Sequence, residues 1–137
     1  MSGAEAGGTR ETVLVVDDNA DARRAMVRTL EWHGYQTLQT GDPGEASALV
    51  GDSDPRVDLL VTDVVMPSQS GISLAREAFR TRPDLRVLFV SGFADGEVHV
   101  DDLPRDVCGF LEKPMTIDQL ARKVREVLDA PRPDVEP

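Results

Sequence analysis

Several apolar runs in this sequence are followed at once by residues that could do chemistry. Val13–Val16 leads into Asp17-Asp18, and Val57–Val61 leads through Thr62 into Asp63. Val87–Val90 leads into Ser91, and Gly109–Leu111 leads through Glu112 into Lys113-Pro114. If the ends of these runs meet in space, three carboxylates, a hydroxyl and an ammonium converge. Carboxylates packed together repel and resist ionisation unless a cation sits among them. Hard oxygen donors without histidine or cysteine select Mg²⁺ over zinc or copper. A magnesium with open positions would bind a phosphoryl oxygen, and one carboxylate could then act as a nucleophile and become an aspartyl phosphate. Charge developing on the phosphoryl oxygens needs donors, for which Lys113 and Ser91 are available.

Each residue alone also has a plainer reading. An Asp-Asp pair after a strand can be a solvated turn and helix cap, and Ser91-Gly92 can be turn chemistry. Asp63 is harder to set aside, because it lies within an apolar stretch and an unpaired buried charge is costly. Lys113 stands out because the chain's other lysine is Lys123 and its remaining basic residues are arginine. An arginine-rich chain that keeps a lysine before a proline uses a compact point charge there. The ordered set is far more specific than any member.

The elements that would position these groups follow from pattern. The runs Val13–Val16, Val57–Val61 and Val87–Val90 are β-branched and do not strictly alternate with polar residues, which suits strands buried on both faces of a parallel sheet. Tyr35–Thr40 is a weaker, more polar strand, and Gly109–Leu111 a short last one. Helical patterns lie between. Ala22, Met26 and Leu30 share a face, and Gly34 can end that helix. Asp42-Pro43-Gly44-Glu45 reads as a helix start with Asp as N-cap, Pro at N1 and Glu at N3. Leu74, Ala75, Ala78 and Phe79 form a face before Pro83. Thr116 and Gln119 make a capping box before an apolar stripe of Ile117, Leu120, Ala121, Val124, Val127 and Leu128. Phe93–Val107 carries Gly96, Pro104 and many aspartates, and predicts only a short or irregular helix. With right-handed crossovers, this alternation predicts a doubly wound α/β fold: a parallel five-stranded sheet with helices on both faces. Its ligands would bind outside the carboxyl ends of the strands.

Composition bounds the rest. The chain has 137 residues, the size of one domain, with 40% hydrophobic and 29% charged residues. Residues 1–11 read as a flexible lead-in, 12–130 as the folded domain and 131–137 as a Pro-rich tail. The formal charge of −10 argues against direct binding of nucleic acid. No run approaches the roughly 18 apolar residues of a membrane span. The single Cys108 cannot form an internal disulfide and is expected to be a small core residue. A cytoplasmic location is the expectation. Trp32 is expected at the core boundary, and His33 and His99 have no partner motif.

The set VLVVDD, LLVTDVVMPSQSG, VLFVSG and FLEKP resembles the receiver domain of two-component response regulators, over about Thr12 to Ala130. The spacing of Asp63, Pro67 and Gly71 fits that family's pattern. The entry GGTRETVLVVDD and the stretch VSGFA resemble receivers of hybrid histidine kinases. The resemblance implies a flavodoxin-like strand order 2-1-3-4-5. It implies Asp63 as phosphoacceptor and a Mg²⁺ cofactor bound directly by Asp18, mainly through water by Asp17, and by Asp63 and the backbone carbonyl of Val65. It also implies Lys113 as the phosphate-contacting lysine, Ser91 and Phe110 as switch residues, and a cis peptide before Pro114. A histidine kinase or histidine phosphotransfer protein would be the partner. The chain would catalyse only its own phosphorylation and dephosphorylation. Ser91 stands where threonine is commoner, and Met115 where phenylalanine is usual.

Three other readings compete. A hydrolase of haloacid-dehalogenase type forms an aspartyl phosphate, but wants two aspartates two residues apart after the first strand, and Asp17 and Asp18 are adjacent. A flavodoxin-like flavin or nucleotide binder wants a Gly- or Ser/Thr-rich phosphate loop there, where Asp17-Asp18 would repel phosphate. A protein-binding module that is never phosphorylated would have no use for the acidic set.

Overall fold

The computed structural model describes residues 11–52, 56–66, 69–92 and 108–130. Strands and helices alternate: β1 (Thr12–Val16), α1 (Ala20–Trp32), β2 (Gln36–Thr40), α2 (Pro43–Gly51), β3 (Leu59–Asp63), α3 (Gly71–Thr81), β4 (Arg86–Ser91), β5 (Cys108–Glu112) and α4 (Ile117–Asp129). The five strands form one all-parallel sheet in the order β2-β1-β3-β4-β5. The expected class and strand order are both met. The lead-in through residue 10, the tail 131–137, the segment 93–107 with His99, Pro67 and the side chain of Cys108 lie outside the described residues.

Every residue of β1 and β3 is buried. Successive side chains of a strand point to opposite faces, and here both faces carry helices. Leu14, Val16, Leu60, Val87 and Phe89 pack with α2 and α3 through Ala46, Val50, Leu74, Ala75 and Ala78. Val13, Val15, Leu59, Val61, Leu88 and Val90 pack with α1 and α4 through Met26, Val27, Leu30, Leu120, Val124 and Val127. That explains continuous apolar runs in place of alternation. β2, at the sheet edge, is largely polar, as its sequence predicts.

The helix punctuation also follows the sequence. Asn19 caps α1 by accepting from the Ala22 amide, and Gly34 turns the chain away at φ 95°, where a side chain would be strained. Asp42 caps α2 with Pro43 in its first turn. Thr116 and Gln119 form the full capping box of α4. Gly109 has a packing reason: a Cβ there would lie 2.6 Å from Val127 Cγ2, so α4 sits directly on β5.

Three expectations need correction. β3 begins at Leu59, not Val57, and its last residue is Asp63 itself. Val57 is fully buried but precedes the strand. Ile117 is 62% exposed although it belongs to the apolar stripe. It opens α4, and with Ala25, Met26, Thr29 and Met115 it lines a shallow cleft between α4 and α1. Trp32 is 83% exposed and is no boundary residue, since Met26, Val27 and Leu30 already fill the buried face of α1.

At the amino edge of the sheet, arginines do structural work that no motif announces. The last turn of α4 has no basic residue of its own. Arg86 of β4 supplies the charge, donating to Val127 O at 3.1 Å and Ala130 O at 2.7 Å. Guanidinium groups favour the negative end of a helix and satisfy its last carbonyls. Arg86→Met should therefore cost about 1–2 kcal/mol, read as a lower urea midpoint, with hydrogen exchange accelerated first at the end of α4.

Nearby, Asp84 pairs with Arg82 at 3.1 Å and with Arg56. Burial opposes ionisation of Asp84, but the hydrogen bond and charge of Arg82 and the charge of Arg56 outweigh it and hold the carboxyl below its usual value. A lowered folded value means the pair stabilises the fold above the unfolded value of about 3.9. That contribution is lost as pH falls through the lowered folded value. Asp84→Asn should thus be less stable than wild type at neutral pH and converge with it in acid. Urea unfolding from pH 7 to pH 2 measures this.

Candidate functional site

The carboxyl edge of the sheet gathers the residues singled out from the sequence. β1 delivers Asp17 and Asp18 just past Val16, and β3 delivers Asp63 as its last residue. One carboxylate oxygen from each lies within 4.8 Å of those of the other two. Asp17 is fully buried, Asp63 nearly so, and Asp18 is exposed. From the far side of the sheet, Lys113 reaches across. Its Nζ is 3.3 Å from Asp17 Oδ2 and 3.6 Å from Asp63 Oδ2.

Local hydrogen bonds hold this arrangement. The Asn19 amide donates to Asp17 Oδ1 at 2.9 Å, and the Val65 amide approaches Asp63 Oδ1 at 3.4 Å. The Lys113 amide donates to the carbonyl of Ser91 at 2.8 Å, which ties the end of β5 to the end of β4. The Lys113–Pro114 peptide is cis, as the resemblance implied. Ser91 is half-buried and lies one residue beyond Val90, the register partner of Asp63. Phe110 is 40% exposed, and its ring stacks on buried Phe89 at 5.2 Å. Val65 presents its side chain to solvent beside Asp63.

One ammonium against three carboxylates leaves the pocket negative. All the candidate ligands are hard oxygens, and exposed Asp18 leaves one side open to solvent. The donor set therefore fits a divalent cation of the Mg²⁺ kind that keeps some of its water. When bound, such a cation would neutralise phosphoryl oxygens next to Asp63.

Two supports were not read as such from the sequence. Gly71 was singled out for its spacing, and the structure supplies the reason. The start of α3 presses on the end of β3, and a Cβ at Gly71 would overlap the backbone carbonyl of Asp63. The Gly71 amide also donates to Val64 O at 2.8 Å. Arg23 of α1 was not anticipated at all: its Nη1 donates to the Asp17 carbonyl at 2.9 Å. No local pattern marks an arginine that reaches a backbone group across a loop.

The fold and this acidic edge define a class of small doubly wound α/β domains built around a pocket ready for a cation. The chain belongs to the response regulator receiver domain family, whose profile matches residues 13–125. It is 40% identical over 119 residues to the sensor kinase CckA of Brucella abortus, covering 86% of this chain and 12% of that protein. It is 39% identical to the response regulator receiver protein CpdR of Brucella abortus, covering 86% of this chain and 97% of that protein. The solved receiver domain of the hybrid histidine kinase CckA matches with a TM-score of 0.71 at 30% identity, covering 86% of this chain and 99% of that one. The chain is thus a receiver domain of two-component signalling. Such domains interact with histidine kinases or phosphotransfer proteins and are not classical enzymes. The hydrolase and flavin-binder readings fall with this membership.

Gly71→Ala should lower stability by roughly 2 kcal/mol or more, because the obstructing atom is backbone and cannot rotate away. Thermal unfolding checks the loss. Amide shifts at Asp63 and Val64 should move in the same variant while those of β2 stay in place.

Proposed function

We propose that this chain accepts a phosphoryl group onto Asp63 from the phosphohistidine of a histidine kinase or histidine phosphotransfer protein, in a Mg²⁺-dependent reaction that alters which proteins it binds. The observation that carries this reading is the single ammonium of Lys113 set between Asp17 and Asp63 in an otherwise acidic pocket. A carboxylate oxygen of Asp63 would form the new O–P bond as the P–N bond to the imidazole breaks, and the freed imidazole nitrogen takes up the departing electron pair. Lys113 would exchange part of its contact with Asp63 for a phosphoryl oxygen, and the Ser91 hydroxyl would donate to another. Asp18, Asp17, Asp63 and the carbonyl of Val65 are the proposed Mg²⁺ ligands, Asp17 mainly through water.

The proposed output runs through Ser91 and Phe110. Phosphorylation adds charge beside Lys113 and gives Ser91 an acceptor to approach. Phe110, stacked on Phe89 two residues before Ser91, would shift with it. We also propose that the receiver unit spans 12–130, that its catalysis is confined to its own phosphorylation and dephosphorylation, and that it works in the cytoplasm. For the last, the supporting fact is that no helix among the described residues is long and apolar enough to cross a membrane.

Mass spectrometry after incubation with a small-molecule phosphodonor tests the core of this reading. Wild type should gain one phosphoryl group when Mg²⁺ is present and none after chelation. Asp63→Asn should gain none, and Asp18→Ala should lose most of the labelling while keeping its fold by circular dichroism. Undiminished labelling of Asp63→Asn would move the acceptor elsewhere, and undiminished labelling of Asp18→Ala would remove Asp18 from the metal site.

A further inference from the structure

Asp17 is held at every polar atom. Its amide donates to Thr40 O at 3.3 Å, its Oδ1 accepts from the Asn19 amide, its Oδ2 faces Lys113, and its carbonyl accepts from Arg23. Asp18 differs. It is exposed, and its direction depends on the peptide that joins it to Asp17. The oxygen of that same peptide is the one Arg23 holds. Arg23 is itself braced, since its Nε donates to Gln39 Oε1 of β2 at 3.0 Å. Gly41 leaves room for this contact: a Cβ there would stand 2.9 Å from Arg23 Nη1, 3.5 Å from Asp17 O and 3.6 Å from Asp18 Cα.

We propose that Arg23, braced by Gln39 and given room by Gly41, is a positioning residue that fixes the Asp17–Asp18 peptide and thereby aims the Asp18 carboxylate at the cation. This rests on the Mg²⁺ site proposed above. Arg23 touches neither cation nor phosphoryl group in this scheme. It acts through a backbone carbonyl, as outer partners of metal ligands do.

Charge and position pull in opposite directions here, so the sign of one measurement separates them. A guanidinium beside an acidic pocket repels a second cation, and removing it for charge reasons alone would tighten Mg²⁺ binding. Removing it for positional reasons would loosen Mg²⁺ binding, because Asp18 would then have to be ordered by the ion itself. Gly41→Ala separates the two further. It displaces only the far end of a flexible side chain, so it keeps the positive charge and should cost little stability, while it disturbs the contact.

The experiment is titration of the full chain with Mg²⁺ alone, followed by amide shifts, for wild type, Arg23→Ala, Arg23→Lys and Gly41→Ala. A second readout needs no metal: hydrogen exchange at the Asp18 amide of the metal-free protein. Arg23→Ala should weaken Mg²⁺ by about ten-fold, with faster exchange at Asp18. Gly41→Ala should shift both in the same direction, and Arg23→Lys should fall between because it cannot bridge two acceptors with a rigid fork. Tighter or unchanged Mg²⁺ binding in Arg23→Ala overturns the inference, as does an unchanged Asp18 amide in both Arg23→Ala and Gly41→Ala. Absence of Mg²⁺-dependent shifts at Asp17, Asp18 and Asp63 in the wild type would instead overturn the metal site itself, which keeps the two failures distinct.

Discussion

Three carboxylate oxygens within 4.8 Å of one another, with one ammonium beside them, are the constraint around which this molecule is arranged. Like charges this close repel one another. They stay together because their backbones cannot move. Asp17 and Asp63 extend from adjacent central strands whose residues are all buried, packed on one face by α1 and α4 and on the other by α2 and α3. Moving either carboxylate away would mean shifting a strand against two close-packed layers. The core thus supplies the rigidity, and the edge holds charges that a looser scaffold would let drift apart.

Lys113 is the counterpart of that arrangement. It arrives from β5, separated from β3 by β4, and spans the edge to reach both Asp63 and Asp17. Its backbone is tied to Ser91, so the ammonium and the hydroxyl share one backbone hydrogen bond. In the proposed switch, a change of partner by the ammonium would be felt at the end of β4. Phe89 and Phe110, stacked across the same strand pair, extend that connection towards the exposed side of β5. The physical content is a short chain of hydrogen bond and ring contact, not a long pathway.

The opposite edge of the sheet uses charge differently. There the guanidiniums of Arg82 and Arg56 share the one carboxylate of Asp84, and Arg86 closes the end of α4. Those contacts lie within the fold and bear on its stability. At the carboxyl edge the balance is left negative. One edge thus carries guanidiniums bound to a carboxylate and to helix-end carbonyls, and the other carries the excess of carboxylates that fits a cation.

Much of this was legible in the sequence because it is carried by local signals. Continuous β-branched runs show strands buried on both faces, caps such as Asp42 with Pro43 and Thr116 with Gln119 mark helix starts, and a charged residue directly after a buried run stands at a strand end. The family pattern then supplied the strand order, which local signals do not contain. Features made by distant segments stayed hidden. Arg23 meets the Asp17 carbonyl across a loop, Arg86 finds the end of α4 41 residues on, and Gly71 owes its identity to a backbone atom of Asp63. Trp32 and Ile117 look like core by type, and only packing decides that the positions beneath α1 and α4 are already filled. Periodicity records which face of an element is apolar. Which residues on that face find room, and which backbone groups a long side chain reaches, is decided only when the layers close over the sheet.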